Sequence, residues 1–316
     1  MAQVQMAKRL GIFKAALCEI EKGRSLVSPQ AASRYAKKAG FSETVALEAC
    51  FQDQLRQFQV DAFSVEPFKG NPAAVVPLDR WLPDEIMQSM ALENNLSETA
   101  FFVPDGDRYT IRWFTPTTEV DLCGHATLAT AFVILNELTL GKQRVDFTSM
   151  SGPLAVEHKE DRYILDFPSR SSNEVSLPSG LESALGVRVL EAHMGRRDLL
   201  VVVEDENTVK SLAPDFNGLM NLDVFGVLVT AKGDSADFVS RCFFPREGIP
   251  EDPVTGSAHC ALVPFWASRL GKTSLFARQI SNRGGELWCE LAGDRVRIGG
   301  QAVKVMESTW VFPKKL

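Results

Sequence analysis

A pattern that recurs at a spacing of about 130 residues restricts this chain most. Arg112-Trp113-Phe114-Thr115-Pro116 is followed by Cys123-Gly124-His125-Ala126 and by an apolar run ending in Leu140-Gly141-Lys142. Arg241-Cys242-Phe243-Phe244-Pro245 is followed by Thr255-Gly256-Ser257-Ala258 and by an apolar run ending in Leu270-Gly271-Lys272. Three matches in one order predict a duplicated unit. Each copy reads as a strand, a proline-containing loop, a turn of glycine and a small or polar residue, and a buried helix stopped by glycine. A chain of 316 residues has room for two such units.

The flanking elements read the same way. Alternation predicts strands from Gln59 and over Ala73–Val76, Thr99–Val103, Tyr109–Phe114, Arg144–Thr148, Leu154–His158 and Tyr163–Phe167. Helices are expected from Pro83 to about Asn94 and over Thr127–Glu137. In the second copy, helices are expected over Leu181–Leu185 and Ala258–Leu270. Strands are expected over Leu199–Val203, Val224–Thr230, Ala236–Phe243, Glu286–Leu291, Val296–Gly299 and Ala302–Glu307. Short strands around one apolar helix, twice over, predict a sheet wrapped about that helix. Residues 1–57 differ in texture, with helix-like patches at Ala7–Glu21, Pro29–Lys38 and Glu43–Arg56, and read as an N-terminal extension.

The repeat carries a chemical consequence. A helix start offers unpaired N–H groups and about half a positive charge. Two such starts facing each other, at Gly124 and Gly256, would hold an anion such as a carboxylate. Glu98 precedes an apolar, Phe-rich strand, where a carboxyl has a raised pKa suited to general acid–base work; a solvated or capping glutamate fits the spacing equally. His125 follows Gly124 at a helix start that favours neutral imidazole, and reads as a substrate contact, a proton carrier or a structural histidine. Asp252 reads as a cap for the next helix, or as a group that orients His125 or holds an amino group. Ser257 takes the place of His125 in the second copy. Cys123 at a helix start is a candidate thiol base, but its second-copy counterpart is Thr255, which leaves a two-thiol mechanism without its partner.

Composition excludes other classes. A formal charge of -6 gives no basic footprint for nucleic acid, and no apolar run is long enough for a membrane span. The six cysteines are scattered and read as reduced thiols, with neither a disulfide framework nor metal-ligand spacing. Phosphate-loop, dinucleotide and nucleophile-elbow motifs are missing from the sequence.

Six ordered stretches then carry a resemblance. They are Val60-Asp61-Ala62-Phe63, Phe68-Lys69-Gly70-Asn71-Pro72-Ala73-Ala74-Val75, Leu96-Ser97-Glu98-Thr99-Ala100-Phe101, Arg112-Trp113-Phe114-Thr115-Pro116, Cys123-Gly124-His125-Ala126-Thr127 and Glu251-Asp252-Pro253-Val254-Thr255-Gly256-Ser257-Ala258. From about residue 58 onward the chain resembles the phenazine-biosynthesis PhzF-like isomerases, within the diaminopimelate-epimerase-like fold. Ser281-Asn282-Arg283-Gly284-Gly285-Glu286-Leu287 looks like the animal relatives of that family. The resemblance implies an α+β fold of two pseudo-symmetric domains, 58–172 and 173–304, each a curled, mostly antiparallel sheet around a central helix. Strand 305–316 would return to the first domain. It implies an isomerase without cofactor or metal, shifting a proton on a small carboxylated substrate in the inter-domain cleft. The catalytic residues would be Glu98, His125 and Asp252. Asn71, Ser97, Gly124, Gly256 and Ser257 would bind substrate. A cytoplasmic homodimer that binds neither nucleic acid nor membrane is expected. The alternatives are an amino-acid racemase or epimerase using Cys123, and a non-enzymatic binding protein on the same fold.

Overall fold

The computed structural model describes residues 55–139 and 141–311. The helical patches expected before residue 55 lie outside these residues, although Leu55 and Arg56 already belong to a strand. The chain divides into two compact units. One takes Phe58–Val76 and Leu82–Glu307; the other takes, among the described residues, 55–57, 77–81 and 308–311. Within the smaller unit, Trp310 Nε1 donates to Gln57 Oε1 at 2.8 Å. Both copies of the repeat lie in the larger unit.

The first copy supplies β1 (Leu55–Ala62), β2 (Asn71–Pro77), β3 (Glu98–Asp105), β4 (Arg108–Phe114), β5 (Glu119–Val120), β6 (Arg144–Ser149), β7 (Gly152–Lys159), β8 (Arg162–Pro168) and β9 (Asn173–Val175). The second supplies β10 (Glu191–Met194), β11 (Asp198–Val202), β12 (Gly226–Lys232), β13 (Phe238–Phe244), β14 (Ile249–Asp252), β15 (Ser274–Gln279), β16 (Gly285–Ala292), β17 (Arg295–Gly300) and β18 (Ala302–Trp310). The helices are α1 (Asp84–Asn94), α2 (Gly124–Val133), α3 (Leu181–Leu185), α4 (Glu206–Ser211), α5 (Phe216–Met220) and α6 (His259–Leu270).

The duplication is visible in the strand pairing. In the first copy β3·β4 is antiparallel, β4·β6 parallel, and β6·β7 and β7·β8 antiparallel. In the second, β12·β13 is antiparallel, β13·β15 parallel, and β15·β16 and β16·β17 antiparallel. The parallel step in each copy needs a crossover, and the buried helix supplies it: α2 in one, α6 in the other. The copies meet where β8 pairs with β17, antiparallel, from Tyr163↔Gly300 to Pro168↔Arg295. β18 returns to pair with β1. The architecture is therefore the expected mixed, sheet-dominated α+β fold.

Repeated arginines fasten each copy at the same place. Arg112 Nε and Nη2 donate to the two carboxylate oxygens of Glu119 at 2.6 and 2.7 Å. Arg241 does the same to Glu251 at 2.7 and 2.8 Å. Each fork ties the last long strand before the crossover helix to the short strand that leads into it.

Helix α2 is mostly apolar, and nine of its ten residues are buried, as suits a helix inside a sheet. It starts at Gly124, earlier than the apolar pattern predicts, and continues as a π-turn over Ile134–Leu138. The second helix is preceded by a 3-10 turn at Gly256–Ala258 and begins at His259. Not anticipated from the pattern are β5, β9, β10, β14 and β15 and the helices α4 and α5. They are short, and their residues alternate too few times to separate from loop. No helix among the described residues is long and apolar enough to cross a membrane. The four cysteines among them are free and buried.

The loop between β1 and β2 is held in an unusual shape. Phe63 is fully buried with φ 65, and Gly70 has φ 65. A Cβ on Gly70 would lie 2.1 Å from the Ala62 carbonyl oxygen, so glycine is required there. Gly70→Ala is expected to lower stability by about 1–3 kcal/mol, read as a fall in the denaturant midpoint with an unchanged slope.

Candidate active site

Glu98 is the first residue of β3. Asn95, with φ 48, closes α1 in the left-handed region, and Asn94 Nδ2 donates to Thr99 Oγ1 at 3.0 Å. The short turn from α1 therefore delivers Glu98 to a fixed place. His125 stands in the first turn of α2, and its Nε2 lies 3.4 Å from Glu98 Oε2. Their side chains are 5% and 14% exposed.

Asp252 ends β14, facing Cys242 of β13. It does not cap the following helix. Thr255 Oγ1 donates to its Oδ2 at 2.5 Å and Asn71 Nδ2 to its Oδ1 at 2.8 Å. Asn71 is fully buried, and its Nδ2 also meets the Val254 carbonyl at 2.9 Å and His125 Nδ1 at 3.2 Å. Asp252 thus reaches His125 through the Asn71 amide. The Cys123 thiol lies 3.5 Å from the same Nδ1. With donors on that side, the neutral ring keeps its proton on Nε2, toward Glu98.

Burial sets the electrostatics. It pushes the Glu98 carboxyl up to about 8; the charge of Asp252 adds to the rise and a hydrogen bond from Cys123 opposes it. Desolvation holds His125 down at about 3, so it is neutral at every working pH. Asp252 rises to about 6, mainly through burial, against the hydrogen bonds from Thr255 and Asn71. The Cys123 thiol is pushed well above its ordinary range by burial and the nearby Glu98 charge. Glu98 Oε2, His125 Nε2 and Asn71 Oδ1 are buried polar atoms without a hydrogen bond. Such atoms are costly unless a ligand is to meet them.

The two helix-opening glycines do come together. A Cβ on Gly124 would lie 3.7 Å from Gly256 Cα, and one on Gly256 would lie 3.8 Å from Gly124 Cα. Ser97 and Ser257 stand half-buried, the first just before Glu98, the second just after Gly256. Glu98, Cys123 and His125 each offer a ligand atom, all within 4.8 Å of one another. Among the described residues they are the side chains grouped so as to hold a cation, but donors turned toward His125 Nδ1 and a protonated thiol suit a proton network better.

The second copy lacks a matching carboxyl. Thr99 faces Phe114, which sets Glu98 opposite Thr115. Val227 faces Phe243, which sets Gly226 opposite Phe244. Thr115 and Phe244 hold the same place in the repeat, so Gly226 is the counterpart of Glu98. A side chain there is excluded, because a Cβ on Gly226 would lie 2.2 Å from the Phe244 ring.

Several supporting residues are absent from the sequence reading. Gln279, fully buried, donates to the Asp252 carbonyl at 2.7 Å and accepts from Thr255 N at 2.8 Å. Arg283 donates to Asp61 Oδ1 at 2.7 Å and to the Gly70 and Lys69 carbonyls at 2.8 and 2.9 Å. Asp61 Oδ2 accepts from Phe68 N at 2.7 Å. A second-copy loop therefore pins the segment that ends in Asn71. Gln279 closes β15 and carried no signal as a site residue; Arg283 lay in the Ser281–Leu287 stretch, whose charge had no visible partner.

The α+β architecture, with the two glycine turns side by side, is that of the epimerase-like fold. Residues 60–308 match the PhzC-PhzF family model, described as phenazine biosynthesis-like protein, and the chain belongs to that family. An uncharacterized isomerase of Pseudomonas aeruginosa is 53% identical over 252 residues, covering 80% of this chain and 97% of that protein. Phenazine biosynthesis-like domain-containing protein 2 of Mus musculus is 40% identical, covering 80% of this chain and 97% of that protein. The crystal structure of a PhzF family protein from Enterococcus faecalis is 52% identical, with a TM-score of 0.80 over 82% of this chain and all of that one. A predicted epimerase of Pseudomonas aeruginosa, at 18% identity and a TM-score of 0.65, shares the fold.

A neutral buried Glu98 also affects stability. Its folded pKa, about 8, exceeds its ordinary 4.5, so the folded state keeps a proton that the unfolded chain releases. Its contribution is fully present below about 4.5 and is lost as pH rises toward 8. Glu98→Gln cannot ionise, so its Tm gain over wild type should be larger at pH 8 than at pH 5 in paired thermal melts. Equal gains at both values would contradict the burial argument.

Proposed function

We propose that the protein is an isomerase that moves a proton between carbon atoms of a small carboxylated substrate, with Glu98 as the group that takes and returns it. The observation that carries this reading is the pair of unpaired, buried atoms Glu98 Oε2 and His125 Nε2, 3.4 Å apart. The isomerase names of the relatives support the class.

The chemistry follows from the groups present. In its ionised form Glu98 removes a proton from carbon. The charge that develops on the substrate is met by the N–H groups around Gly124 and Gly256 and by the neutral His125 Nε2–H. The Glu98 acid then returns the proton to a second carbon. A carboxyl titrating near 8 can serve in both directions, because it is close to working pH in strength. Asp252 and Asn71 form a fixed polar wall beside the imidazole and are not asked to move a proton. Cys123 as the base of a racemase is disfavoured: burial holds the thiol protonated, and Thr255, in the matching place, is already committed to Asp252. The second-copy site of a second carboxylate is filled by Phe244.

The test begins with a screen of small carboxylates by thermal stabilisation. A stabilising ligand is then incubated in heavy water, and deuterium entering its carbon positions is followed by mass spectrometry. Wild type is expected to label the ligand, while Glu98→Gln binds it with similar affinity and labels at least about 1,000-fold more slowly. Labelling by the variant at the wild-type rate would remove Glu98 from the mechanism. With wild type the rate should climb about tenfold per pH unit below about 8 and level off above, since only ionised Glu98 abstracts. A rate that falls between pH 6 and 8 would assign the base elsewhere.

A further inference from the structure

The Cys123 thiol is a buried reactive group that this mechanism leaves without a task. It is the last residue before α2 and is 6% exposed. The donors around His125 Nδ1 explain why it is there. Asn71 has two amide hydrogens and faces three acceptors: Asp252 Oδ1 at 2.8 Å, the Val254 carbonyl at 2.9 Å and His125 Nδ1 at 3.2 Å. Turning the amide over would set its oxygen against a carboxylate and a carbonyl, so its orientation is fixed. The two shorter contacts take both hydrogens. Nδ1 then needs another donor, and the Cys123 S–H stands 3.5 Å away. The same sulfur also lies within 4.8 Å of a Glu98 carboxylate oxygen. One hydrogen thus has two acceptors within reach of a side-chain rotation.

We propose that Cys123 is a positioning residue whose single S–H alternates between Glu98 and His125 as the proton moves. While Glu98 is ionised, the thiol donates to the carboxylate. Once Glu98 carries the proton taken from substrate, it no longer needs that donor. The thiol then turns to His125 Nδ1, which fixes the Nε2–H tautomer with its donor toward the reacting centre. The change is a side-chain rotation; no S–H bond breaks and no thiolate forms. The groups facing Glu98 are Cys123 and His125 from the start of α2, Asp252 from β14 and, behind them, Asn71 from β2. Asp252 and Asn71 keep their hydrogen bonds in both states.

This inference rests on the reading of Glu98 as the proton carrier, but it is tested on the ligand-free full chain, so the two can fail separately. Protein labelled with 15N-histidine is titrated from pH 6 to 9 by NMR. The tautomer of His125 and the Glu98 ionisation midpoint sensed at its ring are read for wild type, Cys123→Ala, Cys123→Ser and, as a control distant from the network, Cys289→Ala. Wild type should show the Nε2–H form below the midpoint. Cys123→Ala should raise the midpoint by about one unit, the worth of a hydrogen bond to a charged group, and admit the Nδ1–H form. Cys123→Ser, which keeps a donor in place, should restore both readings, and the control should match wild type. An unchanged tautomer and midpoint in Cys123→Ala would overturn the proposal, as would a serine variant that behaves like alanine or a wild-type ring in the Nδ1–H form. A deuterium-labelling failure of Glu98→Gln to lose activity would instead overturn the function and leave these NMR readings intact.

Discussion

A carboxyl group withdrawn from water, with no cation among the described residues to balance it, is the constraint on which this structure depends. The charged neighbour that shifts Glu98 is another acid, Asp252, and the ring nearest to it is neutral. Ionising Glu98 in that setting is unfavourable in free energy, and the surrounding fold must hold the arrangement against relaxation. The holding is done by ordinary means: an antiparallel ladder from Thr99 onward, a left-handed turn at Asn95, and an amide that binds Asp252 and meets His125.

That amide belongs to a longer chain of support. Asn71 opens β2, and the segment before it is pinned by Arg283 from beyond β15, by Asp61 and by a backbone bond from Gly70 N to the Gly284 carbonyl at 2.8 Å. Phe63, in the same segment, packs where Gly256 and Gly300 leave space for its ring. Side chains from each copy of the repeat therefore set the position of groups that the other copy contributes. Neither Asp252 nor His125 is placed by its own copy alone.

Much of this was legible in the sequence because the repeat is strong. The Arg-x-Phe strands, the glycine turns and the apolar helices align, and the sheet pairing follows the same order. Glu98, His125 and Asp252 could each be named, but their spacing left a bland role open for every one of them. The choice among roles needed distances, because His125 and Asp252 lie far apart in sequence and meet only through Asn71. Gln279 and Arg283 were not legible as supports: a glutamine closing a strand and an arginine in a turn look like surface residues until their partners are known. The start of α2 at Gly124 was legible from the glycine turn, although the apolar run by itself begins only at Thr127.

The replacement of Glu98 by Gly226 in the second copy breaks the equivalence of the two halves. Two like strands begin at the same place in the repeat, one with a carboxyl and the other with bare backbone against which the ring of Phe244 packs. No side chain can be added at residue 226 without displacing that ring. The scaffold is thus doubled while this acid is carried once.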